Sequence, residues 1–242
     1  MTLKSTSLIL LFCLAAESHA QKDSTRIQQE SGATVIATDV ALFVPASILV
    51  LMNHELGHYT MASAFGGHNV RFGLIRTKPD GGHQLGWTDW DNPLSGTGTV
   101  FAALGGVVFS RGLAEGSDCL VKSVAMPPWA QRFFSITFLF GRFDFARYVL
   151  MDALVELGGR QGSDMATVTR QIGGTEGSSR AIVYVAMAGI ALADLLLDWD
   201  RVAMYWGIFT GTPYHRSQDT GRLRVSPFFA GGPAGFRLTL EW

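Results

Sequence analysis

The stretch His54-Glu55-Leu56-Gly57-His58 constrains this chain more than any other. Two histidines four residues apart lie on one face of a helix, where both imidazoles can reach one Zn²⁺ ion at about 2.0–2.1 Å. Glu55 is offset around the helix, so it is available as a general base and is not needed as a ligand. The alternative is a solvent-exposed helix that carries these residues by chance. The uncharged segment from Ala41 to Met52 argues against it, because unpaired polar side chains are costly on an apolar helix.

The motif continues through Gly66, with Ala62 and Gly66 at four-residue intervals after His58. This stretch resembles the metal helix of the site-2 protease family of membrane-embedded zinc peptidases, which reads HExGHxxxAxxxG. The resemblance implies a helical membrane protein that binds one Zn²⁺ ion and hydrolyses peptide bonds. The small residues Gly57, Ala62 and Gly66 also predict that neighbouring helices approach this helix closely.

A catalytic zinc site needs a third protein ligand and an open position for water. The metzincin pattern is excluded because position 64 is alanine where that pattern has a third histidine. Glu115 and Glu156 are available for a gluzincin-type site, but neither has supporting sequence around it.

The resemblance implies an aspartate ligand at a junction between a loop and a helix. Asp164, after the glycine-rich loop 158–162, stands in the corresponding place, although the family's Leu-Asp-Gly sequence is absent here. We therefore expect His54, His58 and Asp164 to be the metal ligands. Asp144 and Asp152 remain alternatives, and the sequence around Asp164 fits a plain helix N-cap equally well.

Two residues after the metal helix are weaker candidates for contact with a substrate. His83 lies in the segment that follows this helix, and Asn92 could hydrogen-bond a substrate carbonyl. A solvated loop histidine and an Asn-Pro turn are the alternatives. The resemblance also implies that an extended segment here pairs with the substrate as an added strand.

The fold class expected is mainly α, a bundle of about four long apolar helices. Hydrophobic residues make up 48 % of the chain and charged residues only 16 %, between the values of soluble enzymes and polytopic membrane proteins. Residues 68–94 predict a β-hairpin after the metal helix, and residues 221–242 a short β tail. The helices are expected at 33–65, 97–114, 129–157 and 180–209, with a short one at 164–172. Residues 21–242 are expected to form a single domain.

Residues 1–20 are typical of a secretory signal peptide, ending in the small-x-small site Ser18-His19-Ala20. Cys119 is then the only cysteine of the mature chain, so no intramolecular disulfide is expected. We expect an exported protein embedded in a membrane, with a bacterial inner membrane favoured and the periplasm as the alternative. Asp39 and Asp194 would each cost about 2.5–3.5 kcal/mol at a bilayer centre unless they face a polar interior.

The function expected is zinc-dependent hydrolysis of a protein or peptide substrate, within or at a membrane. One alternative is a non-enzymatic membrane protein whose metal site is structural or regulatory, and another is a soluble exported zincin. A fourth protein ligand would close the metal site and exclude hydrolysis. The net charge of −1 offers no electrostatic case for a nucleic-acid partner.

Overall fold

Six helices and two β-hairpins make up the described part of the chain. The computed structural model describes residues 32–77, 81–157, 164–174, 177–211, 222–228 and 235–241. The predicted signal peptide, nearly all of the polar lead-in and the glycine-rich loop before Asp164 lie outside these residues. The helices are α1 (Gly32–Ala64), α2 (Gly96–Ser123), α3 (Pro128–Leu157), α4 (Asp164–Gly173), α5 (Gly177–Leu197) and α6 (Trp199–Thr210). The mainly helical fold class is therefore confirmed.

The metal motif lies in the C-terminal half of α1, which continues through Pro45. The helix ends where Gly66 adopts a φ of +86°, a conformation that glycine reaches without strain, and the Gly67 amide donates to the Ala62 carbonyl. Gly66 therefore ends the helix. The expectation that it packs against a neighbouring helix is wrong, because no other group lies near the position of its missing Cβ.

The predicted hairpin after α1 consists of β1 (Arg71–Thr77) and β2 (His83–Asp89), which pair antiparallel. Gly73 lies opposite Trp87, and the indole ring packs over the space that a side chain at position 73 would fill. Phe72 on β1 contacts Tyr59 on α1, with ring centroids 5.4 Å apart. The hairpin thus packs on the helical turns that carry the metal motif. A second antiparallel hairpin, β3 (Arg222–Phe228) and β4 (Gly235–Glu241), confirms the predicted β tail.

Two predicted helix boundaries differ from the structure, one because charged residues were interpreted as a loop signal and the other because an N-cap aspartate was interpreted as part of a continuous helix. Helix α2 runs to Ser123, nine residues past the predicted end at 114, and begins with the hydroxyl of Ser95 capping the Gly98 amide. The segment expected as one helix at 180–209 is two helices, separated at Asp198, which is the N-cap residue of α6.

A network of ion pairs joins α2, α3, α5 and α6. Arg142 on α3 is 2 % exposed and lies 2.8 Å from the Asp198 carboxylate. Burial opposes the charge of Arg201, but hydrogen bonds to Glu115 and Asp198 outweigh that cost and hold the pKa of its guanidinium above the usual range. Four cations and four anions take part among the described residues: Arg111, Lys122, Arg142 and Arg201 with Glu115, Asp118, Asp194 and Asp198. The four positive and four negative charges of the network balance, with Arg142 buried and Lys122 and Glu115 at its exposed margin.

Helices α1 and α2 touch through their backbones. A Cβ on Gly57 would lie 2.2 Å from the Gly105 carbonyl oxygen, and one on Gly105 would lie 2.5 Å from that of Gly57. A Cβ on Gly106 would lie 2.4 Å from Nε2 of His54. The glycines are therefore required for this crossing, and they bring α2 against the face of α1 that carries His54 and His58.

Three helical segments are long and apolar enough to cross a membrane: Ala37–Ala64, Gly96–Ser123 and Gly177–Leu197. The third has little protein around it. Its large apolar side chains include Ile182 and Val185, which are 70 % and 73 % exposed. Such exposure is compatible with lipid contact. Helix α3 is long but is not among these candidate spans of the described chain.

Gly105→Ala should lower the free energy of unfolding by about 1–3 kcal/mol, because the added methyl group overpacks the crossing of α1 and α2. Gly112→Ala is the matched control on the same helix, where nothing lies near the added methyl group. Thermal unfolding in detergent measures both variants. Equal melting temperatures for the two would contradict the close backbone contact.

Candidate metal centre

His54, His58 and Asp164 converge on one point of the structure. Their ligand atoms form a triangle: His54 Nε2 lies 2.9 Å from His58 Nε2 and 3.4 Å from Asp164 Oδ2, and His58 Nε2 lies 3.1 Å from the same oxygen. The predicted ligand set is thus brought together from α1 and the first residue of α4. These three side chains could hold a metal ion.

The size of this triangle fits a zinc site. Ligands at about 2.0–2.1 Å from a tetrahedral Zn²⁺ ion are separated from one another by about 3.3 Å. The three observed separations, 2.9, 3.1 and 3.4 Å, lie close to that value. Among the described residues the group holds these three ligands, and a tetrahedral ion held by three ligands would keep a fourth position for water.

Hydrogen bonds on the far side of each ring fix which histidine nitrogen faces the triangle. His54 Nδ1 lies 2.7 Å from Oδ2 of Asp144, and His58 Nδ1 lies 2.6 Å from the carbonyl oxygen of Ala102. Both oxygens only accept hydrogen bonds, so each Nδ1 carries the proton and each Nε2 of the neutral ring presents a lone pair. Partners of this kind orient the histidine ligands of metal sites.

Three lone-pair atoms so close together repel one another unless a cation lies between them. Protons on the imidazoles or a bound metal ion can supply that positive charge. Burial opposes ionisation of Asp164, but hydrogen bonds with His54 and His58 outweigh it and hold the pKa of this carboxyl below its usual range. Asp164 is therefore an anion at neutral pH, as a metal ligand must be.

The two alternative aspartates have other contacts. Asp144 binds the far side of His54 and also pairs with Arg147 at 2.8 Å. Asp152 accepts hydrogen bonds from the backbone amides of Met165 and Ala166, at 2.8 and 3.1 Å. A plain N-cap interpretation would give the capping role to Asp164. Asp152 on α3 supplies that cap instead, and it fixes the start of the helix that carries Asp164.

Glu55 lies beside the triangle and is 6 % exposed. Its Oε2 accepts a hydrogen bond of 2.7 Å from the Thr88 hydroxyl on β2. A cavity of about 400 Å³ opens between β2 and the helices, and Glu55, His58 and Asp164 line it together with Trp87 and Tyr148. The cavity gives a molecule access to the metal position and to Glu55 at once.

Neither His83 nor Asn92 is among the residues that line this cavity. His83 begins β2 at the far end of the hairpin, where its Nδ1 lies 3.5 Å from the Thr77 hydroxyl. The Asn92 amide donates to the Gly66 carbonyl at 3.0 Å, and its oxygen accepts from the His68 backbone amide. Asn92 therefore ties the end of α1 to the segment after β2, and the described structure places neither residue against the metal position.

Three contributors to the site carry no signal in the sequence. The Tyr148 ring stacks on His54 with centroids 4.5 Å apart and planes inclined by 10°. The Ala102 carbonyl and the Thr88 hydroxyl are placed only by the packing of α2 and β2 on α1. No spacing rule links these positions to the metal motif, so only the three-dimensional fold identifies them.

Removing a ligand should abolish metal binding, whereas removing an orienting partner should weaken it. Purified His54→Ala, His58→Ala and Asp164→Asn proteins are expected to lose stoichiometric metal. Asp144→Asn is expected to bind about 10–100-fold more weakly, because the His54 ring loses its anionic partner. Metal analysis and competition with a chelator measure both effects.

The control for these variants is Asp91→Asn, which changes an exposed carboxylate paired with Arg71. It should leave the metal content unchanged. Wild-type metal content in Asp164→Asn would refute Asp164 as a ligand.

No protein-family model, no curated protein and no solved structure matches this chain. Its function is therefore inferred from the chemistry of its own residues.

Proposed function

We propose that this protein is a zinc peptidase that hydrolyses peptide bonds within or at a membrane. The observation that carries the proposal is the position of Glu55. A buried carboxylate lies next to a triad of two histidines and one aspartate, and Glu55, His58 and Asp164 line one cavity. A structural metal site needs neither an open position nor a base beside it.

When bound, Zn²⁺ would polarise the carbonyl of the scissile bond and lower the pKa of a water molecule to about 7. Glu55 takes a proton from the attacking water and delivers it to the leaving amine, so a C–O bond forms as the C–N bond breaks. His54, His58 and Asp164 hold the ion. Asp144 and the Ala102 carbonyl keep the two imidazoles in the required tautomer.

The metal identity follows from the base as well as the ligands. Two histidines and a carboxylate also form the iron sites of non-haem oxygenases. Glu55, held beside the open position in an H-E-x-x-H helix, favours hydrolysis and hence Zn²⁺. The same feature disfavours a purely regulatory metal site.

An extended peptide is the substrate that the cavity suits best. Five consecutive residues of β2, from Gln84 to Thr88, line one side of it. β2 pairs with β1 along one edge, so its other edge can accept a further strand through backbone hydrogen bonds. A peptide bound in this way passes between β2 and the metal position.

The membrane setting is supported by the three candidate spans, one of which carries the metal motif. Buried charges are tolerated in such helices when they face a polar interior, as the metal centre and the ion-pair network do here. We place the protein in a bacterial inner membrane after export, with the soluble exported zincin as the competing assignment.

Glu55→Gln should retain metal and lose hydrolysis, because glutamine cannot take up the proton of the attacking water. Cleavage of a fluorescently labelled unfolded protein by the zinc-loaded protein in detergent measures this. Asp91→Asn neutralises an exposed carboxylate outside the cavity and should keep its activity. Full turnover by Glu55→Gln would refute the mechanism.

The membrane assignment has its own test. The expressed protein should remain in the membrane pellet after washing with alkaline carbonate, because apolar helices hold it in lipid. Its release into the supernatant, together with retained zinc and activity, would favour the soluble exported zincin.

A further inference from the structure

Two residues of β2 hold the Glu55 carboxylate. Gly86 and Thr88 are two positions apart, so they present to the same face of the strand. The Thr88 hydroxyl lies 2.7 Å from Glu55 Oε2 and 3.2 Å from the Glu55 backbone oxygen. A Cβ on Gly86 would lie 2.4 Å from Oε1 of the same carboxylate. Each carboxylate oxygen is therefore next to a different residue of one strand.

We propose that Thr88 is a positioning residue that orients the Glu55 carboxylate for proton transfer. The inference rests on the proposed peptidase function and deepens it. Because a carboxylate only accepts, the hydroxyl hydrogen of Thr88 points to Glu55, and the shorter distance selects Oε2. One lone pair of Oε2 is thereby engaged, and we assign the transferred proton to Oε1.

Gly86 makes this arrangement sterically possible. Its φ of +71° is a conformation that residues with a side chain rarely adopt, and it brings the β2 backbone against Glu55 and Leu51. Strand β2 therefore has two roles: it lines the cavity, and it fixes the Glu55 carboxylate. A substrate that pairs with β2 is then aligned with Glu55 through the same backbone.

A purely structural role for Thr88, anchoring the hairpin on α1, makes a different prediction. Anchoring would affect stability and substrate binding, whereas orientation of the base affects the chemical step. Thr88→Val removes the hydroxyl and keeps the shape of the side chain. Thr88→Ser keeps the hydroxyl and removes a methyl group.

The first experiment compares kcat and KM for the zinc-loaded proteins with a fluorescently labelled unfolded protein as the probe. Thr88→Val should lower kcat about 10–100-fold, with zinc content unchanged and KM within about twofold of wild type. Thr88→Ser should restore most of kcat. Thr60→Val is the matched control, since the exposed Thr60 hydroxyl bonds only to the Leu56 carbonyl of its own helix.

The second experiment needs no activity. A double-mutant cycle of Thr88→Val and Glu55→Ala in the metal-free protein measures the coupling between the two side chains from melting temperatures. Thr88→Val should lower the melting temperature when Glu55 is present and change it less when Glu55 is absent. Additive effects would overturn the contact.

The outcomes separate the two proposals. An active wild type with fully active Thr88→Val overturns only the positioning role. A loss of activity in Thr88→Val that appears in KM alone, or that Thr88→Ser fails to restore, also overturns it. A zinc-loaded wild type without hydrolysis overturns the peptidase function and the positioning role together, whatever the cycle shows.

Discussion

The direct backbone contact between α1 and α2 is the constraint on which the rest of the centre depends. Gly57 and Gly105 leave no room for a side chain at the crossing, and Gly106 leaves none beside the His54 ring. Because the helices lie this close, the Ala102 carbonyl reaches His58. The glycines at the crossing thus determine how α2 orients His58 on α1. The same few residues therefore serve both helix packing and the geometry of the candidate metal site.

Around this contact, each ligand is held by a different part of the fold. Asp144 on α3 holds His54, α2 holds His58, and Asp152 fixes the helix start that presents Asp164. No helix could place the three donor atoms alone. The close approach of two imidazole lone pairs and a carboxylate is unfavourable without a cation, so the surrounding hydrogen bonds maintain a geometry that favours metal binding.

How much of this structure the sequence predicted depends on how far apart along the chain the interacting residues lie. The two histidines, Glu55 and the hairpin follow from local periodicity and turn residues. The separate roles of Asp144, Asp152 and Asp164 do not, because Asp144 meets His54 across 90 residues of chain and only helix packing decides which aspartate joins His54 and His58 in the candidate metal site. Asp164 was favoured through resemblance and not through local sequence. The true end of α2 was missed for a related reason, since its charged residues are neutralised by partners on α3, α5 and α6.

If the chain spans a membrane as proposed, the ion-pair network bears on the order in which its helices insert. Asp194 on α5 pairs with Arg111 on α2, which lies 83 residues earlier and is synthesised first. A carboxylate that enters lipid next to a counter-ion already in place avoids most of the cost of entering alone. In the proposed membrane setting, α5 would therefore insert next to α2, with the Asp194 carboxylate already paired, and not as an independent span.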